Sequence, residues 1–134
     1  MVSRFSELMI DCHDTRRVAE FWCAVLGYEI TDIEIIETEG EIIEIAPAKV
    51  TTEALLAGPI PPPLVFVKVP ESKSVKNRIH IDVSPIDASQ EDEVRRIEGL
   101  GAKRIDIGQG DVHWVVMADP EGNEFCVLRS LAPS

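Results

Sequence analysis

Long hydrophobic runs are absent from this sequence. No stretch approaches the roughly 20 apolar residues that a membrane-spanning helix needs, and the N-terminus lacks the basic-then-apolar pattern of a signal peptide. With 134 residues and 45% hydrophobic content, the chain is long enough for one domain with a hydrophobic core and leaves little room for a second. We therefore expect a single domain over residues 1–134, in a cytoplasmic protein that does not contact membranes.

Basic residues are also scarce. The chain carries 13 Lys and Arg against 24 Asp and Glu, which gives a net charge of −11. Nucleic-acid phosphates are bound by clustered Lys and Arg, so this composition argues against a nucleic-acid partner. Between Glu29 and Glu44 the sequence has seven acids and no base, a pattern typical of a solvated hairpin face. The alternative interpretation is a rim that attracts cations.

Paired cysteines are missing as well. The chain has three, Cys12, Cys23 and Cys126, and no two of them are closely spaced. No Cys/His quartet has zinc-finger spacing. An odd number without a secretory signal predicts reduced and mostly buried thiols.

What the sequence does contain is a repeated order of elements. In the first half, a strand ends near Asp11, and a helix capped by Asp14 ends at Gly27. In the second half, a strand containing Asp82 precedes a helix that ends at Gly101. The predicted strands cover residues 5–11, 28–37, 41–46, 64–69, 78–84, 104–107, 112–118 and 124–128, the predicted helices cover 16–26 and 88–100, and turns are expected at Glu39-Gly40 and, in helical form, at 52–57.

This order predicts two βαβββ modules, at about residues 4–70 and 77–130. We expect an α+β fold in which the strands form a curved mixed sheet, with helices on the outside and a concave cleft on the other side.

A tight turn near the end of the chain is followed by an acid in an apolar strand, which is an unusual position for a charge. Pro120 and Gly122 have the backbone preferences of a hairpin turn over Asp119 to Asn123. Glu124 follows at once, in an apolar strand. Because an unpaired buried charge is very costly, Glu124 is expected to face a partner or a metal.

Strand alternation indicates which residues accompany Glu124. If the uniformly apolar side of each strand packs beneath the helices, Glu7, His80 and Glu124 all point into the cleft. Two carboxylates and one imidazole are suitable ligands for Zn²⁺, Fe²⁺, Mn²⁺ or Ni²⁺, and they leave coordination positions open. Taken singly, His80 is also explained as a structural histidine and Glu7 as a solvated acid, while Asp82 is better explained as a capping or lining group than as a ligand.

Several motifs together resemble the vicinal oxygen chelate superfamily, and in particular its glyoxalase-like domain branch. They extend over nearly the whole chain, and the ending is the most specific. The motifs are Asp11-Cys12-His13-Asp14 followed by Ala19-Glu20-Phe21-Trp22 and Leu26-Gly27, then Asn77 to Val83, Leu100-Gly101-Ala102, and Asp119 to Phe125.

The resemblance implies metal ligands on the first, fourth, fifth and eighth strands. It assigns Glu7, His80 and Glu124 to the first, fifth and eighth of these. The fourth position falls near Phe66 to Lys68, where neither Phe66 nor Lys68 is a ligand, so a standard glyoxalase I activity is not expected. The resemblance also implies a homodimer.

Three functions follow as alternatives. The first is a divalent-metal-dependent lyase, isomerase or transferase that acts on a small molecule with vicinal oxygens. The second is a metal-free small-molecule or antibiotic binding protein of the bleomycin-resistance type, in which Trp22, His113 and Trp114 line the ligand site. Core or interface packing is the competing explanation for the two tryptophans. The third is a domain that keeps the fold without the chemistry. No nucleophile–base pair is identifiable, so the catalytic residues remain unassigned.

Overall fold

The structure is a computed structural model that describes residues 2–37 and 40–132. The chain divides into two compact units, Met1–Ser72 and Lys73–Ser134. Each unit contains one four-stranded mixed sheet, and the predicted α+β class and the two βαβββ modules are confirmed. Among the described residues, none of the helices has the length and apolar character needed to cross a membrane.

The first unit has the strand order β1-β4-β3-β2. Strands β1 and β4 are parallel, and the other pairs are antiparallel. Its elements are β1 (Leu8–Cys12), α1 (Thr15–Leu26), β2 (Glu29–Ile36), β3 (Gly40–Ala46), α2 (Thr52–Ala57) and β4 (Leu64–Lys68). The predicted turn at Glu39-Gly40 includes Glu39, which lies outside the described residues.

Helix α1 begins and ends where its sequence predicts. The Asp14 side chain accepts a hydrogen bond from the backbone N–H of Arg17 at 3.2 Å, and Gly27 ends the helix with a φ of 70°. Its apolar side packs on β3 and β4. The centre of this core consists of fully buried side chains, which include Val18, Trp22, Ile43, Ile45 and Phe66.

The isoleucine-rich hairpin divides into core and surface residues. Ile43 and Ile45 on β3 are fully buried, whereas Ile33 and Ile35 on β2, an edge strand of the sheet, are 40% and 77% exposed. Within the acidic run, Glu34 and its strand neighbours on β2 are exposed to solvent. The β2 part of the run therefore agrees with a solvated hairpin face, whereas on β3 Glu41 pairs with Arg16 at 2.9 Å and Glu44 accepts from Thr31 at 2.7 Å.

The second unit repeats this topology with the order β5-β8-β7-β6 and a parallel β5–β8 pair. Its elements are β5 (Asp82–Val83), α3 (Gln90–Gly99), β6 (Lys103–Arg104), β7 (Val115–Ala118) and β8 (Glu124–Val127). Helix α3 packs on β8, and its Val94 and Ile97 are fully buried. Strand β8 is buried on both sides, since all four of its residues are buried.

The strands of the second unit are shorter than predicted. The expected strand at 78–84 is reduced to β5, since its ladder starts only where Cys126 N donates to Ile81 O at 3.0 Å. Upstream, the N–H of Asn77 bonds to a side chain instead of a strand, and Ile79 is 77% exposed. Ile79, on the apolar side of the predicted strand, therefore does not pack beneath a helix.

The strand predicted at 104–107 also ends early. The backbone N–H of Ile107 donates to the Gln109 side chain at 2.8 Å, and the N–H of Gly108 donates to the Asp106 side chain at 2.8 Å. The backbone N–H of Ile105 still donates to Val116 O at 3.0 Å, and beyond it these local bonds replace the ladder because they satisfy backbone groups that a strand would pair.

Candidate metal centre

The turn before β8 adopts the predicted hairpin form. The backbone N–H of Gly122 donates to Asp119 O at 2.8 Å, and Gly122 has a φ of 86°, which favours glycine. The buried Asp119 carboxylate accepts from the backbone N–H groups of Glu121 and Asn123 at 2.9 and 3.0 Å. These bonds fix the point at which β8 starts, and so the position of Glu124.

Glu124 is a buried acid with two partners from its own unit. Lys73 Nζ lies 2.8 Å from Oε1, and the backbone N–H of Asn77 donates to Oε2 at 3.0 Å. The side chains of Lys73 and Glu124 are only 18% and 10% exposed. Burial opposes ionisation of Glu124, but the bonds from Lys73 and Asn77 outweigh it and lower the pKa of the carboxyl. Glu124 is therefore ionised at neutral pH, with an ammonium group as its counter-ion.

Lys73, which lies between the strands predicted at 64–69 and 78–84, was missed as a site residue by the sequence reasoning. The signal was present, because a buried acid requires a counter-charge. The sequence does not identify Lys73 as the source of this counter-charge, because Lys73 lies 51 positions away from Glu124.

His80 lies beside two further ligand-type side chains. Its Nδ1 is 3.2 Å from Asp82 Oδ1 and 4.0 Å from Cys126 Sγ, and the three ligand atoms all lie within 4.8 Å of one another. Asp82 and Cys126 are direct partners in the parallel β5–β8 pair. Burial, followed by the charge of Asp82, raises the pKa of the Cys126 thiol to about 11.

His80 and Glu124 belong to the same face of the second sheet. His80 precedes Asp82 by two residues, and Glu124 precedes Cys126 by two. Glu124 and Cys126 share a face because they are two apart on β8, and Asp82 is the register partner of Cys126. His80 precedes β5, and its ring lies on the same side because it contacts both Asp82 and Cys126. This surface, which we call the β5–β8 face, is defined by His80, Asp82, Glu124 and Cys126.

The remaining predicted site residues lie elsewhere. Glu7 is exposed and immediately precedes β1 in the first unit. Trp22, also in the first unit, is 2% exposed and packs edge-on against Phe21 with 5.2 Å between ring centroids. In the second unit, His113 and Trp114 form an edge-on pair at 5.0 Å. The roles predicted for these residues stay predictions.

The β5–β8 face has the donors that a divalent cation requires. An imidazole, carboxylates and a thiol are ligands for Zn²⁺, Fe²⁺, Mn²⁺ and Ni²⁺. Asp82 engages Nδ1 of His80, an arrangement that in metal sites orients the ring and leaves the other nitrogen for the cation. These residues therefore fit a metal, with Lys73 as the group that a metal at Glu124 must displace.

Several solved structures have a similar fold. A fosfomycin resistance protein, FosX, from Mesorhizobium loti has a TM-score of 0.66 and 13% identity, over 96% of this chain and 92% of that chain. FosX from Listeria monocytogenes, complexed with Mn(II) and sulfate ion, has a TM-score of 0.66 and 13% identity, over 98% and 96%. A trypanothione-dependent glyoxalase I from Leishmania major has a TM-score of 0.65 and 14% identity, over 96% and 87%. At such identities the likeness establishes the fold.

Comparison of the sequence with family models identifies the family of this chain. No curated protein matches it significantly, but the family model described as "Glyoxalase-like domain" matches residues 7–128. The match includes the turn, the β5–β8 face and both βαβββ modules, so the resemblance noted in the sequence is confirmed. The chain belongs to the glyoxalase-like domain family.

Proposed function

We propose that the protein is a divalent-metal-dependent lyase, isomerase or transferase that acts on a small molecule with neighbouring oxygen atoms. The observation that carries the proposal is the 3.2 Å contact of His80 Nδ1 with Asp82, on the face that also bears the buried carboxylate of Glu124. A carboxylate on one ring nitrogen fixes the tautomer and orientation of a metal-binding histidine.

His80 and Glu124 are the residues that would hold the metal, and Glu7 of the first unit is the third ligand predicted from the sequence. When bound, such a metal polarises substrate oxygens and stabilises the negative charge that develops on them. The fold shared with a FosX that binds Mn(II) supports this class of cofactor.

Two residues of the chain, Lys73 and Asn77, keep the Glu124 carboxylate ionised and hold it in place. Lys73 keeps Glu124 ionised despite its burial, so that the carboxylate is already a competent ligand at neutral pH. The N–H of Asn77 fixes Oε2. A metal would therefore bind at Oε1 and replace the contact of that oxygen with Lys73. Lys73 precedes β5 in a segment without helix or strand, where a side chain can rearrange without disturbing the sheet.

Metal-dependent stabilisation tests the proposal directly. After treatment with a chelator, the wild-type protein should be stabilised by Mn²⁺, Ni²⁺, Zn²⁺ or Fe²⁺, by about 2.7 kcal/mol at a metal concentration 100 times the Kd. The variants His80→Ala and Glu124→Gln should lose most of this gain, and Glu7→Gln tests the third ligand separately. His13→Ala and Glu34→Gln are matched controls outside the β5–β8 face and should respond as wild type does. A wild-type protein that none of these metals stabilises would contradict the proposal.

A second function is favoured by one specific observation. Because Lys73 already neutralises Glu124, the buried charge does not require a metal, and a metal-free binding protein of the antibiotic-resistance type accounts for the same contact. Quenching of tryptophan fluorescence by bleomycin or fosfomycin in the presence of a chelator would support it. The predicted ligand-lining roles would then require Trp114→Phe to reduce the quenching, whereas an unchanged titration in that variant would count against Trp114.

A further inference from the structure

His80, Asp82 and Cys126 bring three different ligand atoms together within the second unit. The Nδ1 atom of His80 lies 3.2 Å from Asp82 Oδ1 and 4.0 Å from Cys126 Sγ, and all three atoms lie within 4.8 Å of one another. This set does not include Glu124, and it uses the ring nitrogen of His80 that faces Asp82.

The separations are close to those around a tetrahedral zinc ion. Bond lengths of about 2.0–2.1 Å to nitrogen, about 2.0–2.2 Å to oxygen and about 2.3 Å to sulfur imply an N–O separation of about 3.4 Å and an N–S separation of about 3.6 Å. The observed distances of 3.2 and 4.0 Å each differ from these values by less than half an ångström. The His80 side chain is 41% exposed, so its ring has room to adjust.

The thiol is the most firmly positioned of the three groups. Cys126 is 5% exposed in the centre of β8, and its backbone N–H donates to Ile81 O at 3.0 Å. Asp82 is its direct partner on β5. Thiolate sulfur is a soft ligand that favours Zn²⁺ and Co²⁺ over Mn²⁺ and Mg²⁺, so the cysteine sets the kind of metal that this cluster prefers.

We propose that His80, Asp82 and Cys126 form a binding site for a thiophilic divalent cation such as Zn²⁺, with a fourth position left for water or a small-molecule oxygen. On binding, the Cys126 thiol releases its proton to solvent and the thiolate coordinates the cation. The inference goes beyond the proposed function because its ligand set does not depend on Glu124. The two sites share His80, through different ring nitrogens, and Asp82, which orients the ring in the first site and is a ligand in the second.

Cobalt provides a readout that does not depend on activity. Titration of the full-length, chelator-treated protein with Co²⁺ should produce the near-ultraviolet thiolate-to-cobalt charge-transfer band, which saturates at one Co²⁺ per chain. The band should be abolished in Cys126→Ser and retained in Cys23→Ser, a matched control at a part-exposed cysteine outside the cluster. Absence of the band in wild type, or its persistence in Cys126→Ser, would overturn the proposal.

Two further variants keep the test valid if Cys126→Ser does not fold. Asp82→Asn and His80→Gln alter residues whose side chains are 45% and 41% exposed. Each should weaken Co²⁺ binding by at least about 10-fold, since loss of a residue that only orients a metal ligand already costs about 10- to 100-fold. Unchanged affinity in both would overturn the proposal. Glu124→Gln separates the two sites, since it should lose stabilisation by Mn²⁺ and keep the cobalt band.

Discussion

Lys73 Nζ and Glu124 Oε1 lie 2.8 Å apart in a nearly buried ion pair. The pair places an ammonium group on the carboxylate that the family resemblance assigns to a metal. If Glu124 holds a metal as proposed, the metal and Lys73 compete for the same oxygen, and removal of Lys73 should raise the affinity of Glu124 for the metal.

Lys73→Met is the variant that tests this competition. It leaves Glu124 buried without its counter-ion, so we expect the free energy of unfolding to fall by about 1–3 kcal/mol in metal-free buffer. Added Mn²⁺ should restore more stability to the variant than it adds to wild type, because no ammonium has to be displaced. Urea denaturation with and without Mn²⁺ measures both effects. Lys49→Met, at an exposed lysine of the first unit, is the control, and equal stability of the two variants would contradict the expectation.

The same ion pair predicts an acid-sensitive stability. The pKa of Glu124 is lowered from 4.5 in the folded protein, so its ionised form stabilises the fold above the unfolded pKa, and this contribution is lost as the pH falls through the folded value. Urea denaturation from pH 7 downward should therefore show a smaller acid loss in Glu124→Gln than in wild type. Glu34→Gln, at an exposed acid, should follow the wild-type profile. Parallel profiles for wild type and Glu124→Gln would argue against the lowered pKa.

Gly122 and Gly99 form an internal comparison for the turn. Gly122 has a φ of 86°, so Gly122→Ala should destabilise the protein by roughly 1–2 kcal/mol, the cost of the left-handed region for an L-residue. Gly99 lies at the end of α3 with open space around its α-carbon, and Gly99→Ala should stabilise by about 0.5–1 kcal/mol. Thermal or urea unfolding of the two variants measures the difference. The same sign of change in both would show that the turn does not impose this conformation.

Cys126 should react slowly with thiol reagents. Burial and the nearby Asp82 raise the pKa of its thiol to about 11, and the thiolate is the reactive form. Alkylation by iodoacetamide at Cys126, followed by peptide mass spectrometry, should be negligible near pH 7.5 and rise steadily up to about pH 11. The stability that the raised pKa contributes should be lost from the unfolded pKa of 9.0 up to the folded pKa of about 11, since the unfolded thiol ionises first. Rapid modification of Cys126 at neutral pH would contradict the raised pKa.

Local signals in the sequence accounted for the fold well. Asp14 and Gly27 bound α1 as predicted, because capping depends on a few adjacent residues. The turn from Asp119 to Asn123 formed for the same reason. The repeated order of elements then led to the two βαβββ modules, whose strand orders are equivalent.

Strand length was less predictable in the second unit. The alternation from Arg78 to Ser84 is favourable for a strand, yet only Asp82 and Val83 pair with β8. The N–H of Asn77 instead bonds to Glu124, a contact 47 positions away in the sequence. A hydrogen bond to a side chain so distant in the sequence cannot be predicted from local periodicity.

The candidate site was anticipated only in part. Parity placed His80 and Glu124 on one face, but it gave no indication that Lys73 would hold Glu124. Asp82 was interpreted as a lining or capping group, and Cys126 as a reduced, mostly buried thiol. Their proximity to His80 arises from the parallel pairing of β5 with β8, which sequence alternation does not specify.

Crystals grown with Mn²⁺ provide the most direct test of the central claim, which is that Glu124 and His80 hold a divalent metal. We expect an anomalous peak about 2.0–2.3 Å from a Glu124 carboxylate oxygen and from a nitrogen of His80, which is the usual length of such bonds. Lys73 should then be displaced from Oε1. A saturating Mn²⁺ concentration that leaves Lys73 Nζ on Glu124 and gives no peak at His80 would contradict it.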